Sequence, residues 1–191
     1  LLLFLCSVNF YAQDNPSVWV KTNKDNALKA SKPLRQAEIK KASYYQLDID
    51  KLKAKLKNAP NRKNSNVSNV VIRFPDKEGK LQPYRIKEAP LLENSFQEKH
   101  PDMRCFVGKH VNNSGESIRF SITPQGFHGM VLSTNKSAEF IDPVGYGSKN
   151  HMIYTKSDLS EISKTFECKV IDKTTESKPD PSSKTSVAFN A

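Results

Sequence analysis

The sequence predicts a mainly β domain of the α+β kind: an antiparallel meander forming a sandwich-like or partly closed sheet, with one short amphipathic helix and flexible polar tails. Three observations carry this. Strand-like runs recur at intervals of roughly ten residues with turn signals between them, the spacing of an antiparallel all-β unit. Within the clearest run the sides alternate, with Ile118, Phe120 and Ile122 opposite Ser117, Arg119 and Ser121. Only one stretch, around residues 48–60, has a helical period.

Taken in order, Val18-Trp19-Val20 is an apolar anchor or short strand in an otherwise polar, Lys-rich segment. Ile49, Leu52 and Leu56 then fall on one helical face; Asp48 or Asp50 supplies an N-cap, lysines follow, and Pro60 stops the run. Residues 61–66 are a loop. Val67 to Phe74 reads as a strand, Asp76-Lys77-Glu78-Gly79 as a turn, and Leu81 to Ile86 as the returning strand, placed at a sheet edge because Pro83 lacks a backbone N–H. Pro90 to Glu98 holds room for a helical turn, and Met103 to Val107 is strand-like. After Ser117–Ile122, Thr123-Pro124-Gln125-Gly126 makes a turn and Phe127 to Leu132 returns. Ala138 to Ile141 and His151 to Thr155 complete the strands, separated by a glycine-bearing loop that starts at Asp142-Pro143.

The ends differ from this body. Residues 1–13, LLLFLCSVNFYAQ, read as the apolar core and exit of a secretory signal peptide, with Ala12 near the expected cleavage point. That run is too short to span a bilayer and no other stretch is apolar enough, so the chain is expected to be secreted, without a stable membrane anchor. Residues 14–43 are a basic polar arm, 44–171 the β-rich body, and 172–191 a linker rich in Lys, Thr, Ser, Pro and Asp. The absence of an initiator Met and the linker at the other end mark the chain as a fragment with a further domain expected beyond it.

The net charge of +10 is uneven: residues 21–63 carry 13 Lys and Arg against 4 Asp and Glu, whereas residues 64–191 carry 17 against 15. Apart from the adjacent Tyr44-Tyr45 the basic segment has no aromatic residue to stack on bases, and it offers no groove-entering element, so no nucleic-acid partner is expected. Beyond Cys6 in the leader, Cys105 and Cys168 remain. In an oxidising compartment such a pair is a candidate disulfide, and the absence of CxxC or Cys/His spacing argues against structural zinc.

No catalytic motif stands out: GxSxG, GxxxxGK[ST], GxGxxG and HExxH are all missing. The histidines, His100, His110, His128 and His151, have no histidine partner at helical spacing. Alternation points His128 outward, opposite Phe127, and Asp142 before Pro143 reads as a turn former. No catalytic, cofactor-binding or metal-binding residue is assigned from these patterns.

The segment from Tyr45 to Phe166 resembles the N-terminal propeptide region of bacterial secreted reprolysin-like (adamalysin-like) metzincin zinc metallopeptidases. The residues that carry the resemblance are Gln46-Leu47-Asp48 with Leu52, Leu56, Ala59 and Pro60; Val71-Ile72-Arg73-Phe74-Pro75-Asp76; Tyr84-Arg85-Ile86 with Ala89-Pro90; Phe106-Val107-Gly108; Ile118-Arg119-Phe120-Ser121-Ile122 with Gly126-Phe127-His128; Phe140-Ile141-Asp142-Pro143; and Tyr154. The resemblance implies a prodomain that keeps a protease latent or helps it fold until cleaved. It also implies a catalytic domain with HExxHxxGxxH and zinc beyond Ala191; the partners are then that domain in cis and a maturation protease. A proregion of this kind can block the zinc with a thiolate or carboxylate, which makes Cys105 a candidate, with Asp102 or Asp142 as alternatives. For Cys105 three readings stay open: zinc-blocking thiolate, disulfide with Cys168, or a free packed cysteine. The alternative to a prodomain is a secreted β-sandwich binding or adhesion module with no protease attached.

Overall fold

The computed structural model describes residues 17–29 and 39–159. The leader, the linker and Cys168 lie outside them. The described residues form β1 (Trp19–Thr22), α1 (Lys24–Leu28), β2 (Ser43–Leu47), α2 (Ile49–Leu56), β3 (Val71–Pro75), β4 (Leu81–Glu88), α3 (Asn94–Lys99), β5 (Arg104–His110), β6 (Glu116–Thr123), β7 (Gly126–Ser133), β8 (Glu139–Pro143) and β9 (Asn150–Thr155). All nine strands belong to one antiparallel sheet in the order β1-β2-β9-β8-β7-β6-β5-β4-β3. From β3 to β9 each strand pairs with its successor, the expected meander. β1 and β2 then add to its β9 end, so the segment read as an arm contributes a strand to the sheet.

The sheet is nearly closed. Its twist brings the edge strands together, and Trp19 of β1 meets Phe74 of β3 with ring centroids 6.2 Å apart. Phe74 also contacts Tyr84, Phe120 and Phe127 at 6.1, 5.0 and 6.0 Å, so aromatic side chains fill the interior. The helix α2 plugs one end. Asp48 caps it by accepting from the Lys51 N–H at 3.0 Å, lysines occupy its last turn, and its apolar face buries Leu52 and Leu56 completely. Each such leucine contributes about 2 kcal/mol of transfer free energy.

A smaller cluster covers the outer face of β2 and β9. There Ala27 of α1 packs with Tyr44, Val144, Met152 and Tyr154, supported by Ile39 and Leu159. The helix α1 was not expected from the sequence. It is five residues long, too short to show a period, and its signal is local: Asn23 caps it, accepting from the Asn26 N–H at 2.8 Å.

One placement is corrected. Pro83 does not put β4 at an edge, because β4 lies between β3 and β5. The β4–β5 ladder ends at the pair Tyr84–His110, and just beyond it the Pro83 carbonyl accepts from the Val111 N–H at 3.0 Å. The missing donor therefore faces Val111 at the very end of the β4–β5 ladder, where only the reciprocal bond of the terminal pair is forgone.

Candidate functional site

The outer face of β5, β6 and β7 carries the chemistry that the sequence distributes among separate strands. Register places Cys105 opposite Ser121, and Ser121 opposite His128. One step along the same face, Val107 stands opposite Arg119, and Arg119 opposite Met130. Side chains alternate across a strand, so these six share the side opposite the buried Phe106, Phe120 and Phe127.

On the next strand β8, Asp142 continues the row. Its Oδ1 lies 2.9 Å from His128 Nδ1, and its Oδ2 accepts from the Tyr154 hydroxyl of β9 at 2.6 Å. A carboxylate can only accept, so Nδ1 is the ring nitrogen that donates across this contact. The outward direction expected for His128 is what the strand delivers. Asp142 is corrected: it is no turn former but a strand residue paired with Met152 in register.

Around this row a cleft of about 290 Å³ opens, lined by Cys105, Val107, Arg119, Ser121, His128 and Met130 from the sheet, with Arg62, Ala89 and Leu91 at its rim. The rim is fixed by backbone bonds. Arg62 N–H donates to the Glu88 carbonyl at 2.8 Å, and Ala89 N–H donates to the Cys105 carbonyl at 2.8 Å.

Cys105 is half-buried and its thiol is free. Burial pushes its pKa up, and the Glu88 carboxylate adds to the rise. A neutral thiol is a weak nucleophile and a weak metal ligand. Its expected disulfide partner, Cys168, lies outside the described residues. Asp102 is exposed in the turn before β5 and does not line the cleft.

The other histidines do not join this site. His100 stacks on Phe96 at 4.4 Å between centroids, and His110 lies 3.2 Å from the Gln82 amide oxygen. His151 is buried in the core against Trp19 and Phe127. Among the described residues no group of three or more His, Cys, Asp or Glu is placed to hold a metal. The site is thus an imidazole oriented by a carboxylate beside a hydroxyl and a thiol. Ser121 makes no side-chain hydrogen bond among the described residues, so the row has a base and its orienting group without an engaged nucleophile.

The Ser121–His128 pairing was within reach of the sequence. Once Pro124-Gln125 is taken as a two-residue loop closed by the pair Thr123–Gly126, counting back along both strands sets Ser121 against His128. The β7–β8 turn, read at Asn135-Lys136, does not fix a register in the same way, so the pairing of Asp142 with His128 was not legible. No protein family matches this chain, and no curated protein or solved structure was found similar to it.

Proposed function

We propose that this chain is the prodomain of an exported zinc metalloendopeptidase precursor, holding the protease latent or assisting its folding until it is cut away. One observation supports this reading above the others: the residues that carry the resemblance build a single continuous body. Leu47 lies on β2, Leu52 and Leu56 in α2, Ile72 and Phe74 on β3, and Tyr84 and Ile86 on β4; Phe106, Ile118, Phe120, Phe127 and Ile141 complete the same core. A prodomain needs such a self-supporting fold, because it must be structured before its partner is.

The latency that suits this geometry is steric cover. A zinc-blocking thiolate needs an exposed, ionised sulfur, whereas Cys105 is a half-buried strand residue whose thiol pKa is pushed up. A zinc-blocking Asp142 would first have to give up both His128 and Tyr154. Zinc belongs, on this reading, to the catalytic domain alone. Export rests on residues 1–13, and the partners are the catalytic domain in cis and the protease that cuts the linker.

The test is to read the coding sequence onward from Ala191 and express the following domain with and without residues 14–191. An in-frame HExxHxxGxxH, with slower peptide hydrolysis or higher refolding yield when residues 14–191 are present, is the expected result. A continuation without the motif removes the protease reading. The rival, an exported β-rich binding module, draws on the cleft over β5–β7.

A further inference from the structure

The cleft over β5–β7 brings positive charge and apolar walls together in one concave site. Its polar lining is cationic or neutral: Arg62, Arg119 and His128 line it, and among the described residues no carboxylate does. Glu88, next to Ala89 in the chain, and Asp142, the partner of His128, are both engaged. Glu88 accepts from Arg104 Nε at 2.7 Å, and Asp142 is held by His128 and Tyr154. Neither Arg62 nor Arg119 has a carboxylate partner among the described residues. Between these cations the walls are aliphatic, from Leu91, Val107 and Met130. Leu91 is 70% exposed, an apolar side chain standing at the rim with nothing over it among the described residues.

A guanidinium without an acid, next to uncovered apolar surface, suits a ligand that carries both features. We infer that this cleft binds a small monocarboxylate with an apolar body, its carboxylate on Arg119 and Arg62 and its chain along Leu91, Val107 and Met130. The volume, about 290 Å³, is at the small end for ligand pockets and takes a molecule rather than a protein surface. The planar fork of arginine pairs two parallel N–H donors with a carboxylate, which a bare cation cannot do. This inference does not depend on the prodomain reading.

The probe is octanoate, titrated into the full chain and followed by amide chemical shifts, with octanol and inorganic phosphate as parallel arms. Octanoate is expected to bind with a Kd of about 1 mM or tighter, moving amides of β5–β7 and of residues 89–91. Octanol and phosphate are expected to bind at least about tenfold more weakly, since each lacks one half of the match. Arg119→Leu and, independently, Arg62→Leu in the loop should each weaken octanoate about tenfold. Arg73→Leu, an exposed arginine on β3, should leave it unchanged. Equal affinity for octanol, preference for phosphate, equal weakening by Arg73→Leu, or no shifts in β5–β7 would each overturn the assignment.

Discussion

At the scale of single residues the fold shows where it tolerates polarity and at what condition. His151 is 2% exposed, with Nδ1 held 3.1 Å from the Lys149 carbonyl and its ring edge-on to Trp19 at 5.4 Å. Burial holds its pKa at about 4, below the ordinary 6.5. The depressed value fixes the sign. The neutral ring belongs to the folded state, so its contribution is whole above pH 6.5 and is lost as pH falls toward 4. Unfolding free energy is therefore expected to drop by about 3 kcal/mol across that window from this group alone. Denaturant melts at stepped pH measure it. Trp19, the sole tryptophan, reports the same titration, because an imidazolium against an indole quenches its emission. His151→Phe keeps a ring against Trp19 and should flatten this part of the slope; an unchanged slope would mean that other groups govern the acid limb. Trp19 itself was legible as a packing anchor, being the one large aromatic in a polar segment. The role of His151 was not, since a histidine in an apolar strand looks the same in sequence whether its ring faces core or solvent.

At the scale of elements, strand seams are decided by how closely neighbouring backbones must approach. Gly108 lies mid-way along β5, opposite Ile86 on one side and Ile118 on the other. A Cβ built there would stand 2.5 Å from Ile86 Cδ1 and 2.9 Å from Ile118 Cγ2. Gly108→Ala is thus expected to cost about 1–3 kcal/mol by overpacking. Gly108→Ala combined with Ile86→Val, which removes the nearer methyl, should recover part of it. A thermal melt of the parent and both variants decides; a neutral single substitution would show that the seam has slack. The same element scale marks how far the sequence could be read. Alternation in Ser117–Ile122, the two-residue Pro124-Gln125 loop and the capped period of α2 were legible, because each is a local regularity. The course of β4 was not: Pro83 argues for an edge, and only the length of the β5 partner strand shows where its missing N–H points. Nor was the row from Cys105 to Tyr154, which depends on the register of four successive pairings, three of them across loops of five or six residues.

At the scale of the whole molecule, closure depends on one turn. No ladder joins β1 to β3 among the described residues, and the β3–β4 turn bridges the gap with side chains instead. The Lys77 carbonyl accepts from Ser43 Oγ at 2.8 Å, and the Gly79 carbonyl from the Tyr45 hydroxyl at 2.7 Å, which ties the turn to β2. Lys77 N–H donates to Glu139 of β8 at 2.9 Å, and Lys77 Nζ pairs with Asp158 at 3.0 Å. Gly79 makes the turn with φ of 86°, a conformation that glycine adopts without strain. The two carboxylates pull in opposite directions with pH. Burial raises the pKa of Glu139 against the opposing Lys77 N–H, so its contribution is present at low pH and lost as pH rises through the raised value. For Asp158 burial also pushes upward, but hydrogen bonds from Thr155 and Lys77 outweigh it and hold the pKa low. Its contribution is present above the ordinary carboxylate range and lost as pH falls through the lowered value. Asp158→Ala, which also strips the acceptor from the Thr155 N–H and hydroxyl, is expected to cost about 2 kcal/mol near neutral pH. The difference from the parent should shrink on acidification, as the parent's own Asp158 becomes protonated. Hydrogen exchange gives the location. Amides of residues 76–80 and of β1 and β2 should lose protection, while those of β5, β6 and β7, paired on both sides within the meander, keep theirs. If protection instead falls evenly across all nine strands, the sheet opens only by global unfolding, and the turn is one contact among many rather than the clasp that holds the two ends together.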